Sequence, residues 1–227
     1  MTTLNYKTID EGIIGRVLFL DLDDTIRHSK RNTFIKDVHD IEVFPDVIPV
    51  LSQYKDNGYF IYGISNQGGI AYNYKTLEQN MEEMGKTFDL VKTNGRTLLD
   101  GIRFCPYHPN AKSFPFGNKS LNRKPYYGML VSIEEELRQK GVYIDYDRSI
   151  LVGDLPEDFE CAMSAGIKFQ WAWDFFPNRI KPENIKEEYY EELIPIFEAL
   201  RHKLEEGYSL PEIVNYIQKM GSTDEKA

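Results

Sequence analysis

Three short apolar segments, each followed at once by polar side chains, constrain the fold of this chain most strongly. They span residues 16–20, 59–64 and 149–152. Continuous apolar runs of this length are typical of strands buried on both faces of a parallel sheet. Weaker strand patterns cover residues 102–105 and 167–173. Because helical patterns separate most of these segments, the sequence predicts an α/β fold built on a doubly wound parallel sheet.

Helical patterns fill much of the chain between the predicted strands. They cover residues 45–57, 74–87, 125–140 and 155–165. Pro125 suits the first turn of the third helix, and glycines end three of the four. Two more patterns, rich in Glu and Lys, follow at residues 183–204 and 210–220.

These patterns predict a simple domain organisation. We expect an N-terminal extension over residues 1–15, a core over 16–182, C-terminal helices packed on that core over 183–220, and a flexible tail over 221–227.

Length, charge and cysteine content exclude several classes of protein. The 227 residues are within reach of one α/β domain. The net charge of −9 argues against broad, non-specific binding to nucleic acid or anionic membranes. No apolar run of about 18 residues is present, and the N-terminus does not resemble a secretory signal, so no membrane span is expected. Two cysteines, Cys105 and Cys161, are too few for a disulfide framework, which favours the cytoplasm.

Two carboxylates follow the first predicted strand. Asp21 and Asp23 stand two residues apart, so both point to the same side of an extended chain. Their mutual repulsion needs a counter-charge, and Mg²⁺ prefers one or two carboxylates together with phosphate and water oxygens. One carboxylate can then attack phosphorus while the other moves protons, and the Thr25 hydroxyl can bond the phosphate. An idle acidic turn is the alternative.

Polar and basic residues occur at two further points. Ser65 ends the second strand, where its hydroxyl, adjacent backbone N–H groups and two following glycines can hold a phosphoryl group. Lys124 precedes a predicted helix and can neutralise charge on the nucleophile and the phosphoryl group, while Arg123 can clamp substrate oxygens. Ordinary solvated turns would also explain both sets.

A further acidic pair follows the third strand. Asp154 can complete the metal site, and Asp158, one helical turn along, can bond Lys124 or a metal-bound water. Asp158 is equally suited to stabilise the helix dipole. Ligands bind at the carboxyl ends of strands in such sheets. The four sets together therefore indicate phosphoryl transfer.

This arrangement resembles the signature of the haloacid dehalogenase (HAD) superfamily of phosphatases. Residues 20–25 match its DxDxT motif, Ser65 its strand-end Ser or Thr, and residues 152–158 its GD-x₃-D motif. Residues 65–70 and 123–125 are similar to a subgroup that holds histidinol-phosphatases, heptose-bisphosphate phosphatases and polynucleotide 3′-phosphatases. The resemblance implies a Rossmann-like core with little or no cap domain.

The resemblance also implies catalytic and metal-binding roles. Asp21 would be the nucleophile and a metal ligand, and Asp23 would be the general acid/base and a ligand through its backbone carbonyl. Lys124 would hold the phosphoryl group. Asp154 would bind Mg²⁺, with Asp158 in support.

The remaining implied roles concern the substrate. Ser65 would hold the phosphoryl group together with the lysine, and Asn66, Gln67 and Arg123 would face the substrate. The residues that follow the DxDxT motif would form part of the substrate rim, with Arg27 as a possible contact.

The chain departs from the subgroup at a structural zinc site. Sugar and histidinol members hold zinc with a Cys-x-His pair and a later Cys-x-Cys pair. Here Cys105 matches the first ligand, but Tyr107, Ser120 and Asn122 occupy the other positions. Even with His108 nearby, two good ligands do not close a zinc site, so no zinc is expected.

The leading hypothesis is a Mg²⁺-dependent phosphomonoesterase that acts on a small phosphorylated metabolite, such as a sugar phosphate, through an aspartyl-phosphate. A nucleic-acid 3′-phosphatase is the alternative enzyme, and the net acidity and the missing P-loop disfavour it. Aromatic residues at 169–176 could stack on bases, although a buried strand explains them better.

Two other classes use similar residues. A signalling receiver domain is disfavoured because its Lys follows every acidic site, whereas Lys124 precedes Asp154. A catalytically inactive HAD-like binding module stays open until turnover is measured. The sequence leaves the oligomeric state open.

Overall fold

The computed structural model describes residues 8–9, 12–183 and 185–206. The chain divides into two units, residues 1–181 and residues 182–227. The helix predicted over 210–220 and the tail over 221–227 lie outside the described residues.

The strands of the described residues all belong to the first unit. They are β1 (Thr8–Ile9), β2 (Gly12–Gly15), β3 (Val17–Leu20), β4 (Arg27–Ser29), β5 (Ile41–Val43), β6 (Phe60–Asn66), β7 (Lys92–Thr93), β8 (Arg96–Thr97), β9 (Gly101–Cys105), β10 (Val142–Ile144), β11 (Ile150–Gly153) and β12 (Lys168–Trp171).

The α-helices are α1 (Val47–Asp56), α2 (Leu77–Leu90), α3 (Gly128–Gln139), α4 (Pro156–Ala165), α5 (Ala172–Phe175) and α6 (Glu187–Glu205), with a short 3₁₀ helix at Tyr146–Arg148.

Five parallel strands form the central sheet, in the order β12-β11-β3-β6-β9. From β3 the chain adds β6 and β9 on one side, and it then returns to place β11 and β12 on the other. The strand order therefore reverses between β3 and β11, and the crevice at such a point is where α/β sheets bind ligands. The predicted α/β class with a parallel sheet is confirmed.

The central strand β3 is buried on both faces, which explains its continuous apolar run. Val17 and Phe19 belong to one core cluster, together with residues of α3 and α4. Leu18 and Leu20 belong to the other, together with residues of α1 and α2. Successive side chains of a strand alternate between faces, so a strand covered on both sides must be apolar throughout.

The third predicted helix begins later than expected. The proline pattern places its start at Pro125, whereas α3 begins at Gly128. Turns occupy the intervening residues, with Tyr126 N donating to Arg123 O at 2.9 Å and Gly128 N donating to Leu121 O at 2.9 Å. This turn carries the preceding lysine toward the sheet, so the prediction of the helix start was wrong.

Two described segments before Arg16, Thr8–Ile9 and Gly12–Gly15, form strands. Strand β2 pairs antiparallel with β1 and parallel with β10, which forms a small second sheet. The hairpin of β4 and β5 was also not predicted, and it forms from the residues that follow the DxDxT motif. Its strands have only three residues each, too few for a periodic signal.

The aromatic run at residues 169–176 lies largely within the fold. Trp171 is 7% exposed and Phe176 is 0% exposed, and Phe169 packs against a core cluster. The interpretation as a buried strand and its exit is confirmed for these rings.

The second unit contains α6, which matches the helix predicted over residues 183–204 and includes Pro195. Packing of the C-terminal helices on the core stays a prediction. Within the described part of the chain, no helix is long and apolar enough to span a bilayer.

Candidate active site

The carboxyl ends of β3, β6 and β11 bring distant polar residues together. Asp21 directly follows β3, Ser65 lies near the end of β6, and Asp154 directly follows β11. The Asp21 N–H donates to Val152 O at 2.9 Å, which fixes the first carboxylate against the neighbouring strand. Residues separated by more than 100 positions in sequence thus share one crevice.

Lys124 lies between two carboxylates of the crevice. It is 2% exposed, and its ammonium contacts the Asp21 carboxylate and lies 2.6 Å from Asp158 Oδ1. Asp158 has a second role, because its Oδ2 accepts from Leu155 N at 3.0 Å and stabilises the start of α4. Both sequence interpretations of Asp158 therefore hold in the structure.

Asp154 completes an acidic cluster. One carboxylate oxygen from each of Asp21, Asp154 and Asp158 lies within 4.8 Å of the others, an arrangement that can hold a metal ion. The Thr25 hydroxyl donates to Asp154 Oδ1 at 3.3 Å, so this residue contacts the cluster rather than standing apart from it.

The acidic cluster carries more negative charge than the ammonium of Lys124 balances. Burial, with contributions from Asp158, Asp154 and Asp23, raises the pKa of Asp21 well above its ordinary value, although Lys124 opposes the shift. Burial and the neighbouring Asp158 likewise raise the pKa of Asp154 to about 7. A single ammonium does not balance three carboxylates, so the donor set fits a hard divalent cation.

Burial would by itself lower the pKa of Lys124, but Asp158 and Asp21 outweigh it and raise the pKa well above its ordinary value. The lysine therefore carries its positive charge at neutral pH. It offsets negative charge on Asp21, and its contact with a transferring phosphoryl group stays a prediction.

Asp23 is held by several donors. Arg27 Nε lies 2.9 Å from its Oδ1, and its Oδ2 accepts from Gln67 Nε2 at 2.7 Å and from Ser65 Oγ at 3.4 Å. Burial would raise the pKa of Asp23, but Arg27 and the hydrogen bond from Gln67 lower it below its ordinary value. Arg27 is 0% exposed and its guanidinium is bonded to Asp23, and its contact with substrate stays a prediction.

Asn66 forms hydrogen bonds with the backbone of Lys124. Its Oδ1 accepts from Lys124 N at 2.9 Å, and its Nδ2 donates to Lys124 O at 3.0 Å and to Glu157 Oε1 at 2.7 Å. These bonds explain how a loop that follows β6 fixes a lysine far along the chain. Substrate contact by Asn66 or Gln67 stays a prediction.

Arg123 lies beside the loop that follows β6. Its Nη1 donates to Tyr107 O at 3.4 Å and lies 3.4 Å from the position that a Cβ at Gly68 would occupy. Arg123 is half-buried. Its role in substrate binding stays a prediction.

Gly153 has a role that the sequence motif alone did not explain. A Cβ at this position would lie 2.3 Å from Asp158 Cγ. The glycine thus makes room for the carboxylate that pairs with Lys124. The structure also brings Glu157 to the site through its bond with Asn66, and the sequence carried no signal for this contact.

We expect Gly153→Ala to displace Asp158 and to lower the stability of the protein. Overpacking of this kind typically costs about 1–3 kcal/mol, which urea unfolding would measure. Gly85→Ala is the matched control, because nothing lies within 4 Å of its Cβ position in α2. Alanine in a helix should stabilise that variant by up to about 1 kcal/mol. Equal stability of the two variants would contradict the proposed clash.

The region of the subgroup's zinc site has a different arrangement here. Cys105 is buried, and its Sγ approaches Tyr107 O at 4.0 Å, while His108 Nδ1 lies 3.0 Å from Tyr72 Oη. The expectation that this protein binds no zinc stays a prediction.

Comparison with known proteins places this site in a family. Residues 16–176 match the family described as Polynucleotide kinase 3 phosphatase. The D-glycero-β-D-manno-heptose-1,7-bisphosphate 7-phosphatases of Yersinia pestis and Escherichia coli K12 are each 31% identical over 150 residues, 66% of this chain and 76% and 74% of theirs.

Solved structures agree with the sequence relatives. A HAD-like phosphatase of Mesorhizobium loti superposes with a TM-score of 0.60 at 25% identity, over 72% of this chain and 80% of its own. The D,D-heptose 1,7-bisphosphate phosphatase of B. bronchiseptica, solved with magnesium and phosphate, gives 0.54 at 20% identity, over 79% and 98%. At that identity the likeness shows the fold alone.

The family match spans the whole central sheet and includes every residue of the crevice. The curated relatives are phosphatases and share nearly a third of the aligned residues with this chain. The chain therefore belongs to the polynucleotide kinase 3 phosphatase family, and it is a phosphatase of the HAD superfamily.

Proposed function

We propose that this phosphatase is a Mg²⁺-dependent phosphomonoesterase that acts on a sugar phosphate or a similar small metabolite through an aspartyl-phosphate at Asp21. The observation that supports it most is the acidic cluster. Carboxylate oxygens of Asp21, Asp154 and Asp158 lie within 4.8 Å of one another, and Lys124 pairs with two of these residues.

The carboxylates of Asp21 and Asp154, with the backbone carbonyl of Asp23, would hold the Mg²⁺ ion. Bound there, the ion would neutralise charge on the nucleophile and on the phosphoryl oxygens. Oxygen donors and an excess of negative charge are what this ion prefers, so the residues fit it.

The reaction proceeds in two displacements. A carboxylate oxygen of Asp21 forms a bond to phosphorus as the bond from phosphorus to the leaving oxygen breaks. Asp23, which must first be protonated against the lowered pKa that Arg27 and Gln67 impose, gives that oxygen its proton. Asp23 then takes a proton from water, whose oxygen attacks phosphorus and breaks the bond to Asp21. The products are an alcohol and inorganic phosphate. Lys124 offsets the negative charge throughout.

The names of the curated relatives support a sugar phosphate as substrate, since both act on a heptose bisphosphate. Arg123 is the basic residue at the crevice best placed to bind further oxygens of such a substrate. Two free, buried cysteines are compatible with work in a reducing compartment, and we propose the cytoplasm.

A substrate panel tests the proposed function. The purified chain would be assayed with Mg²⁺ and with EDTA against heptose 1,7-bisphosphate, other sugar phosphates, histidinol phosphate, nucleotides and a 3′-phosphorylated oligonucleotide. Mg²⁺-dependent phosphate release from a sugar phosphate is the expected result. Failure to hydrolyse any phosphomonoester would reject the proposal and favour an inactive binding module.

A nucleic-acid 3′-phosphatase is the second candidate, because the matching family is described by that activity. Release from the oligonucleotide alone would establish it. The net charge of −9 disfavours it, since contacts with the phosphate backbone usually supply most of the affinity for nucleic acid.

We expect Mg²⁺ to raise the free energy of unfolding. In Asp154→Asn, the Mg²⁺ concentration that gives half of this stabilisation, the Mg²⁺ midpoint, should be at least tenfold higher. A ligand at 100 times its dissociation constant stabilises a protein by about 2.7 kcal/mol. Thermal unfolding during a Mg²⁺ titration measures this without any substrate. Asp145→Asn is the control. Asp145 directly follows β10 and is not part of the acidic cluster, so its variant should leave the Mg²⁺ midpoint unchanged. If both variants had the same Mg²⁺ midpoint, Asp154 would not be a metal ligand.

A further inference from the structure

Arg27 is a charged residue that the two displacements do not use. It has a fully buried side chain, with 0% exposure. Burying a guanidinium is costly unless it is paired and hydrogen-bonded. Its partners therefore indicate why the fold tolerates it.

One side of the guanidinium binds the carboxylate of Asp23. Nε lies 2.9 Å from Asp23 Oδ1, and Nη2 lies 3.4 Å from Asp23 Oδ2. The backbone supports this pairing, because Arg27 N donates to Leu22 O at 3.0 Å and Asp24 N donates to Arg27 O at 2.7 Å. A short closed loop thus fixes the arginine next to the carboxylate.

The other side of the guanidinium binds α2. Nη1 donates to the Thr87 hydroxyl and to Glu83 O, and the Thr87 hydroxyl in turn donates to Glu83 O at 2.8 Å. Both α2 residues are buried, and the Glu83 carboxylate pairs with Lys75 at 2.5 Å. Arg27 therefore cannot shift without breaking buried bonds to the helix.

We propose that Arg27 is a positioning residue that orients the carboxyl group of Asp23 toward the leaving oxygen, with Thr87 and Glu83 of α2 holding Arg27 in place. The inference rests on the proposed function, in which Asp23 gives the leaving oxygen its proton. The described hydrogen bonds of its guanidinium all go to Asp23 and α2, so it acts on the reaction through Asp23. A proton donor must lie within hydrogen-bond reach of its acceptor, and a misplacement of about 1 Å can cost about 10²-fold in rate.

Two substrates of nearly the same shape test the proposal. p-Nitrophenyl phosphate has a good leaving group that needs little protonation, whereas phenyl phosphate has a poor one. We expect Arg27→Met to lower kcat about 10²-fold for phenyl phosphate and less than about tenfold for p-nitrophenyl phosphate, with KM little changed. Asp23→Asn should show the same selectivity, and the double variant should be no worse than Asp23→Asn alone.

Matched variants separate positioning from general damage. Arg138→Met makes the same change at a residue near the end of α3 whose side chain is 58% exposed, and it should leave both rates unchanged. Arg27→Lys retains a cation and should recover part of the phenyl phosphate rate. If Arg27→Met fails to fold, Thr87→Val removes only the hydroxyl that Arg27 binds, and it should widen the ratio of the two rates several-fold.

The outcomes are distinct. Equal losses on both substrates in Arg27→Met, or in Thr87→Val where the first variant does not fold, would overturn the positioning role while leaving the phosphatase proposal intact. Full activity in the variant would do the same. If the unaltered chain hydrolysed neither of these esters and none of the wider panel, the proposed function itself would be rejected.

Discussion

Asp21→Asn is expected to abolish turnover, because an amide cannot form the bond to phosphorus. Removing a catalytic nucleophile from other enzymes lowers kcat by about 10⁴- to 10⁶-fold, and a loss in this range should appear in a steady-state assay of phosphate release. The variant should fold well, since the pKa of Asp21 is already raised by burial and an uncharged amide avoids that cost. If the unaltered protein is quenched with acid while it turns over a phosphomonoester, mass spectrometry should show one added phosphoryl group. Asp21→Asn treated in the same way should lack it.

Asp24→Asn is the matched control for the nucleophile. Asp24 is exposed and has a φ of 60°, a conformation that asparagine adopts readily. Its variant should retain activity within a few-fold of the unaltered chain. Near-normal turnover in Asp21→Asn would mean that another group attacks phosphorus.

Lys124→Met is expected to impair both folding and catalysis. It leaves the buried carboxylates of Asp21 and Asp158 without their shared ammonium. Removing one partner of a buried ion pair typically costs about 3–5 kcal/mol, which urea unfolding without Mg²⁺ would detect. Loss of one group that stabilises transition-state charge should also lower kcat by about 10²- to 10³-fold.

Lys140→Met provides the comparison. Lys140 pairs with Glu136 on the surface of the protein, and its side chain is 59% exposed. Exposed pairs contribute at most about 1 kcal/mol, so stability and activity should change little. A Lys124→Met variant that unfolds like Lys140→Met would show that the buried lysine is not needed to balance the acidic cluster.

The positioning of Asp23 extends the catalytic unit beyond the crevice. Gln67 and Arg27 hold the carboxylate from two sides, and Arg27 transmits the constraint from α2. Changes in α2 that never approach substrate are therefore expected to alter the rate.

The sequence by itself determined the class of fold and indicated which polar groups meet at one edge of the sheet. Apolar runs such as residues 17–20 have one stable environment, a strand covered on both faces, and polar residues that follow such strands must lie at one edge of the sheet. These are local properties of the chain. They sufficed to indicate Asp21, Ser65 and Asp154 as neighbours.

Only the tertiary structure decided which of the other charges meet. The turn before α3, fixed by Asn66, brings Lys124 between Asp21 and Asp158, and burial beside α2 places Arg27 against Asp23. No local pattern encodes such pairings. They depend on the path of loops between distant elements, and on the requirement that each buried charge find a partner.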